Sequence, residues 1–202
     1  LQQKIIGQTT VPLTRDHLGE SNLGDLVADA MLEKTQADGA EIALINSGGL
    51  RNDLTIGPIT LGQLLEVLPF GNTIVRVDLT GEQIWTALEN GLSRIEEGAG
   101  RFPQVSGLRI VWNPTAAPGS RVVSVQVRHR DSSLAPLRPT QIYRVVTNNF
   151  MATGGDGYHV VSQGQNILDT GLLLVDVVTE YIVAQSPLKI QTEQRILNPR
   201  SP

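Results

Sequence analysis

Residues 108–127, Leu108-Arg109-Ile110-Val111-Trp112-Asn113-Pro114-Thr115-Ala116-Ala117-Pro118-Gly119-Ser120-Arg121-Val122-Val123-Ser124-Val125-Gln126-Val127, decide the fold class. Leu108, Ile110 and Trp112 recur at the period of two that puts strand side chains on one face, and Val123, Val125 and Val127 do so beyond the linker. That linker, residues 113–120, is rich in Pro and Gly and too short for the helical crossover that parallel strands need, so it reads as a hairpin connection. Hairpin-linked strands interspersed with helices, without a regular βαβ rhythm, point to a mixed α+β domain rather than a doubly wound parallel sheet.

Upstream, Ser21 can cap a helix in which Leu23, Leu26, Val27, Ala30 and Met31 recur at helical spacing to about Lys34, and Gly39 marks its exit. Residues 41–45 read as a short apolar strand broken by Asn46-Ser47-Gly48-Gly49. Two capping boxes follow. Thr60-Leu61-Gly62-Gln63 opens a short helix ending at Pro69, and Thr80-Gly81-Glu82-Gln83 opens one with Ile84, Ala87 and Leu88 inward. Between them Val75, Val77 and Leu79 alternate with Arg76 and Asp78, as in a half-exposed strand. Downstream, residues 141–147 read as a strand buried on both faces, followed by the glycine-rich loop 154–157. Asp169 or Thr170 is expected to cap an apolar helix over 172–184, and residues 188–196 to form a last short strand. With no fixed-period repeat and no internal boundary, residues 1–202 read as one domain.

The chain has 202 residues, 40% hydrophobic and 18% charged, enough for one domain with a sizeable, bipartite core. No apolar run is long enough to span a membrane, so the chain reads as soluble. Its net charge of −4 argues against wrapping a nucleic-acid polymer. The local cluster Arg121, Arg128, His129 and Arg130 is expected to be a solvated hairpin edge. Without cysteine, disulfides, zinc–thiolate sites and thiol chemistry are excluded. Because the sequence starts at Leu1 with no signal-peptide pattern, it reads as a piece of a longer or processed protein.

A binuclear phosphoesterase centre needs several His, Asp and Asn ligands converging on two ions. Here His17, His129 and His159 stand far apart, and no G-x-S-x-G elbow offers a nucleophile. The chain is therefore expected to carry neither metal nor cofactor, to hold no catalytic residue and to break no bond alone. Three glycine-containing turns do carry side chains suited to a nucleotide. In Asn46-Ser47-Gly48-Gly49-Leu50-Arg51, paired glycines permit close backbone approach and Arg51 presents a planar fork; a plain strand-end turn is the rival reading. In Leu68-Pro69-Phe70-Gly71-Asn72, Phe70 reads either as a hydrophobic plug or as a stacking ring. In residues 148–158, glycines and asparagines surround one phenylalanine and one carboxylate. Two of the three Phe, Phe70 and Phe150, thus lie in glycine-flanked turns, where they could sandwich a base while Asp156 accepts from ribose hydroxyls.

At these motifs a family resemblance becomes specific. Glu20-Ser21-Asn22-Leu23-Gly24-Asp25-Leu26 with Ala28-Asp29-Ala30-Met31, Asn46 to Arg51, Leu68 to Asn72, Val105-Ser106-Gly107-Leu108 and Gly154-Gly155-Asp156-Gly157-Tyr158 occur in order. Together they resemble the C-terminal, substrate-binding domain of the 5′-nucleotidase and UDP-sugar hydrolase family. The resemblance implies a substrate-specificity domain that grips a nucleoside, within a metal-dependent hydrolase acting on phosphate esters. Two divalent metal ions would sit in an N-terminal metallophosphoesterase domain in cis, absent from this chain. Phe70 and Phe150 match the stacking aromatics, Asp156 the ribose carboxylate and Arg51 the arginine near ribose and phosphate. Asn46, Asn72 and Gly155 complete the expected substrate-binding set. The ligand would be a nucleoside monophosphate, nucleotide sugar or cyclic nucleotide, in a periplasmic, cell-surface or secreted setting. Where the family commonly has an arginine three residues before Glu20, this chain has His17, with Arg15 nearby. A stand-alone nucleoside-binding module is the alternative, and an interaction domain with a decayed pocket a third.

Overall fold

The computed structural model describes residues 2–199. In chain order the elements are β1 (Ile5–Thr9), α1 (Asn22–Thr35), β2 (Ile42–Asn46), β3 (Gly57–Thr60), α2 (Leu61–Val67), β4 (Thr73–Thr80), α3 (Gly81–Gly91), β5 (Pro103–Ser106), β6 (Leu108–Trp112), β7 (Val122–Arg128), β8 (Leu134–Pro136), β9 (Ile142–Asn148), α4 (Asn149–Ala152), α5 (His159–Ser162), β10 (Gln165–Leu173), α6 (Leu174–Gln185) and β11 (Ile196–Leu197). The α+β reading holds. A five-stranded sheet of order β10-β4-β9-β2-β5 is antiparallel except for the β2–β9 pair. A four-stranded sheet has the order β11-β6-β7-β8, and β1 pairs with β3.

Local signals set the helix starts. The Ser21 side chain accepts from the Gly24 N–H at the head of α1, and both capping boxes close reciprocally at Thr60–Gln63 and Thr80–Gln83. The five-stranded sheet separates two cores, as its period of two demands. Ala43, Ile45 and Val146 face α1 and α6, whereas Ile42, Leu44 and Val145 face α3 and the second sheet.

Several elements depart from the pattern read in the sequence. Trp112 pairs with Val122 while Val111 pairs with Ser124, so one residue of β7 is bulged out. Val122 is thereby inward and Val123 is 58% exposed, the reverse of simple alternation. β4 lies between β10 and β9 and is buried on both faces; Asp78 is matched by Arg144 Nε at 2.9 Å, which holds its carboxyl below the usual carboxylate range. Arg121 is buried rather than solvated. It donates to the carbonyls of Leu92 and Ala116 and pairs with Glu96, while Glu89 accepts from the main-chain N–H groups of Arg121 and Val122. Residues 165–173 form an edge strand, so Asp169 and Thr170 lie in β10 and cap no helix; α6 starts after Leu173 without a side-chain cap. Of residues 188–196, Leu188 makes a single bridge to Thr9 of β1 and Ile196 opens β11, which runs parallel to β6.

A buried polar cluster fastens the C-terminal segment to α1. Glu20 accepts from the main-chain N–H groups of Glu193 and Arg195, both at 2.7 Å. Arg195 forms a two-pronged pair with Asp29 at 2.7 and 2.8 Å. Asp25, wholly buried, has no hydrogen-bond partner on either oxygen, and Arg195 Nε stands 3.6 Å away. Burial pushes its carboxyl up to about 9, with the neighbouring Glu20 and Asp29 carboxylates adding to the rise and Arg195 opposing it. Asp25 is thus held as a neutral acid in the fold. Unfolded, the group ionises near 3.8, so across that interval the folded protein keeps a proton that the unfolded chain has lost. The contribution of Asp25 to stability is therefore complete below the lower value and declines as pH rises toward the upper one. Asp25→Asn, which is near-isosteric and neutral at every pH, is expected to melt higher than the native chain at about pH 8 and to depend less on pH. Melting curves that run parallel from about pH 5 to 9 would show Asp25 to be ionised in the fold.

Candidate functional site

Strand pairing gathers four chain segments at one end of the five-stranded sheet. β2 and β9 run parallel and finish there at Asn46 and Asn148, while the antiparallel β4 and β5 begin there at Thr73 and Pro103. The segments beyond these ends enclose a cleft of about 320 Å³, at the lower end of the range for small-molecule sites, roughly 300–1,000 Å³. Asn46, Gly48, Gly49 and Arg51 line it from the end of β2. Phe70 and Asn72 line it from the turn before β4, Gly100 from the turn before β5, and Phe150 and Asp156 from the segment after β9.

Both phenyl rings are open to solvent, Phe70 at 59% and Phe150 at 45%, so neither is a core plug. Among the described residues the only ring–ring contact is Phe102 with Trp112, so Phe70 and Phe150 share the cleft without stacking on each other. Gly71, at φ 63°, lets the chain turn between Phe70 and Asn72. The Arg51 guanidinium carbon lies 5.9 Å from the Phe70 ring centroid and covers one face. Asn149 Oδ1 accepts from the Thr73 N–H at 3.2 Å, tying the Phe150 helix to the segment that carries Phe70.

Asp156 adopts the left-handed conformation at φ 55°, rare for a residue with a side chain. Its carbonyl accepts from Asn90 Nδ2 at 3.0 Å, and its Oδ2 accepts from Asn46 Nδ2 at 2.8 Å. Oδ1 accepts nothing among the described residues. Tyr158 is buried, donates to the Arg101 carbonyl at 2.6 Å and anchors the glycine loop; burial pushes its phenol well up.

Six of the seven residues expected from sequence line the cleft: Asn46, Arg51, Phe70, Asn72, Phe150 and Asp156. Gly155 lies behind Phe150, where a Cβ would come within 2.6 Å of three ring carbons. Arg15 and His17 do not line the cleft. Arg15 donates to the Arg51 carbonyl at 2.7 Å and pairs with Asp53, buttressing the Arg51 turn from outside. Sequence reasoning missed Gly100, whose Cα abuts Gly48 so closely that a Cβ on either would touch the other's backbone. It also missed Asn90 and Asn148, which act from beneath the cleft. Among the described residues no three His, Cys, Asp or Glu side chains are grouped to hold a metal ion.

With this geometry, residues 5–163 match the model of the 5′-nucleotidase C-terminal domain. The chain belongs to the 5′-nucleotidase C-terminal domain family. It is 43% identical over 182 residues to the trifunctional nucleotide phosphoesterase protein YfkN of Bacillus subtilis, an alignment covering 88% of this chain and 12% of that protein. It is 34% identical over 212 residues to the 5′-nucleotidase of Diplobatis ommata, covering 96% of this chain and 37% of the relative. The crystal structure of the 5′-nucleotidase precursor from Thermus thermophilus superposes with a TM-score of 0.96 at 43% identity, over 100% of this chain and 41% of that one. The chain thus spans less than half the length of each of these relatives.

The packing of Gly155 against Phe150 makes a direct prediction. Gly155→Ala should push the Phe150 ring aside while leaving the buried Phe102 in place. Of the three phenylalanine ring signals in a 13C spectrum, that of Phe150 should move most. An unmoved Phe150 signal would contradict the packing.

Proposed function

We propose that this chain is the nucleoside-binding domain of a two-domain, metal-dependent hydrolase that removes phosphate from nucleotides. The observation that carries the reading is the convergence of Phe70, Phe150, Asp156 and Arg51 on one cleft from three segments far apart in sequence. Two open aromatic faces suit a flat heterocycle, and stacking on each is worth roughly 1–3 kcal/mol. Oδ1 of Asp156 offers an acceptor to ribose hydroxyls, which separates nucleosides from other planar ligands. Arg51 lies beside the same ring with donors for ribose or phosphate oxygens. Asn46 and Asn72 supply further polar groups on the cleft wall, and Gly155 keeps Phe150 in position.

The whole of residues 1–202 acts in this reading as one substrate-specificity domain, and bond cleavage belongs to an N-terminal metallophosphoesterase domain carrying two divalent ions. The names and greater lengths of the relatives support that division. The substrate is a nucleoside monophosphate, a nucleotide sugar or a cyclic nucleotide, which differ at the end held by the other domain. A periplasmic, cell-surface or secreted setting fits relatives such as the snake venom 5′-nucleotidase of Macrovipera lebetinus. Among the described residues no helix is long and apolar enough to cross a membrane.

Phe150→Ala is expected to weaken adenosine binding by roughly 1–3 kcal/mol while the melting temperature stays close to that of the native chain. An unchanged titration would remove the stacking role. The chain mixed with a nucleoside monophosphate and a divalent metal should release no phosphate, and sustained release would contradict the division of labour.

A further inference from the structure

We propose that Asn148 is a positioning residue that fixes how Asp156 faces the cleft; the inference rests on the ribose role proposed above for Asp156. Asn148 is 2% exposed and does not line the cleft, so it acts only through other groups. Its Oδ1 accepts from the Met151 N–H at 2.8 Å, its Nδ2 donates to Asn46 Oδ1 at 2.9 Å, and Asn46 Nδ2 donates to Asp156 Oδ2 at 2.8 Å.

The chemistry at the two ends dictates the direction of the whole relay. A main-chain N–H can only donate and a carboxylate can only accept. Side-chain amides are otherwise free to turn over, exchanging oxygen for nitrogen. Here neither can turn without setting two acceptors or two donors against each other at some link. Asn46 is itself 4% exposed, so both amides are screened from water that could take over a broken link. With Oδ2 committed to Asn46, Oδ1 is the acceptor left for a ligand. A second arm holds the left-handed backbone of Asp156: Arg101 Nη1 donates to Asn90 Oδ1 and to Ser93 Oγ, both at 3.1 Å, and Asn90 Nδ2 donates to the Asp156 carbonyl. Only the Asn148 arm acts on the carboxylate. If Asn148 stops donating, Asn46 is free to turn its own oxygen toward Asp156, and the carboxylate loses its anchor.

The test compares adenosine with 2′,3′-dideoxyadenosine, titrated by NMR into the whole chain at millimolar ligand. The native chain should prefer adenosine. Asn148→Asp keeps the acceptor for the Met151 N–H but replaces the donor with an acceptor, and should cut the preference by roughly ten-fold, the scale of one hydrogen bond to a charged group. Asn148→Ser keeps a helix-capping acceptor without adding charge and is too short to reach Asn46; it should lose the same preference and guards against misfolding of the first variant. Asn148→Asp should also lower the melting temperature, and adding Asp156→Asn, which reverses both side-chain links and returns the net charge to that of the native chain, should restore most of the loss. Variants that keep the native preference, or melting losses that simply add in the double variant, would overturn this inference alone. A native chain with no preference for adenosine would instead overturn the ribose role of Asp156, and this inference with it.

Discussion

The parallel pairing of β2 with β9 is the constraint on which the cleft depends. Two parallel neighbours finish at the same end of a sheet, and this pair finishes on two asparagines, Asn46 and Asn148, whose side chains meet at 2.9 Å. The antiparallel strands outside them, β4 and β5, must then begin at that end. Chain segments separated by up to about a hundred residues are thereby placed around one opening without any long loop. The irregular backbone of the site sits on the ends of a rigid sheet, which is how a precise constellation is best supported.

The same sheet explains how so glycine-rich a site stays in shape. Apolar residues fill both of its faces, so the strands carrying the cleft are clamped from two sides. At the rim the work passes to hydrogen bonds of defined direction: Asn148 caps α4 and orients Asn46, Asn90 holds the Asp156 backbone, and Tyr158 pins the loop to Arg101. The close approach of Gly48 and Gly100 admits no side chain between the two turns. The rings that open into the cleft are exposed, whereas the groups that place them are buried or tied to a neighbouring strand.

The sequence was most legible where the signal is local. Both capping boxes and the Ser21 cap depend on residues within one turn, and each closes as read. The cleft residues were legible for a different reason: aromatic, carboxylate and arginine side chains in glycine-flanked turns have no core pattern to explain them. Errors fell where distant contacts decide. Val123 turned outward because a bulge breaks the period of two, and Arg121 is buried because Glu96 and the Leu92 carbonyl wait for it across the chain. β10 was invisible because it is an exposed, twice-bulged edge strand with no alternation to read. Asn90 carries no local mark, and the local cap made by Asn148 does not reveal its link to Asn46, since these partners lie 66 and 102 residues away.

A crystal structure of the chain grown with adenosine tests the account most directly. The base is expected in the gap between the Phe70 and Phe150 rings, with a ribose hydroxyl on Oδ1 of Asp156. A nucleoside seated elsewhere, or a base that meets neither ring, would contradict it.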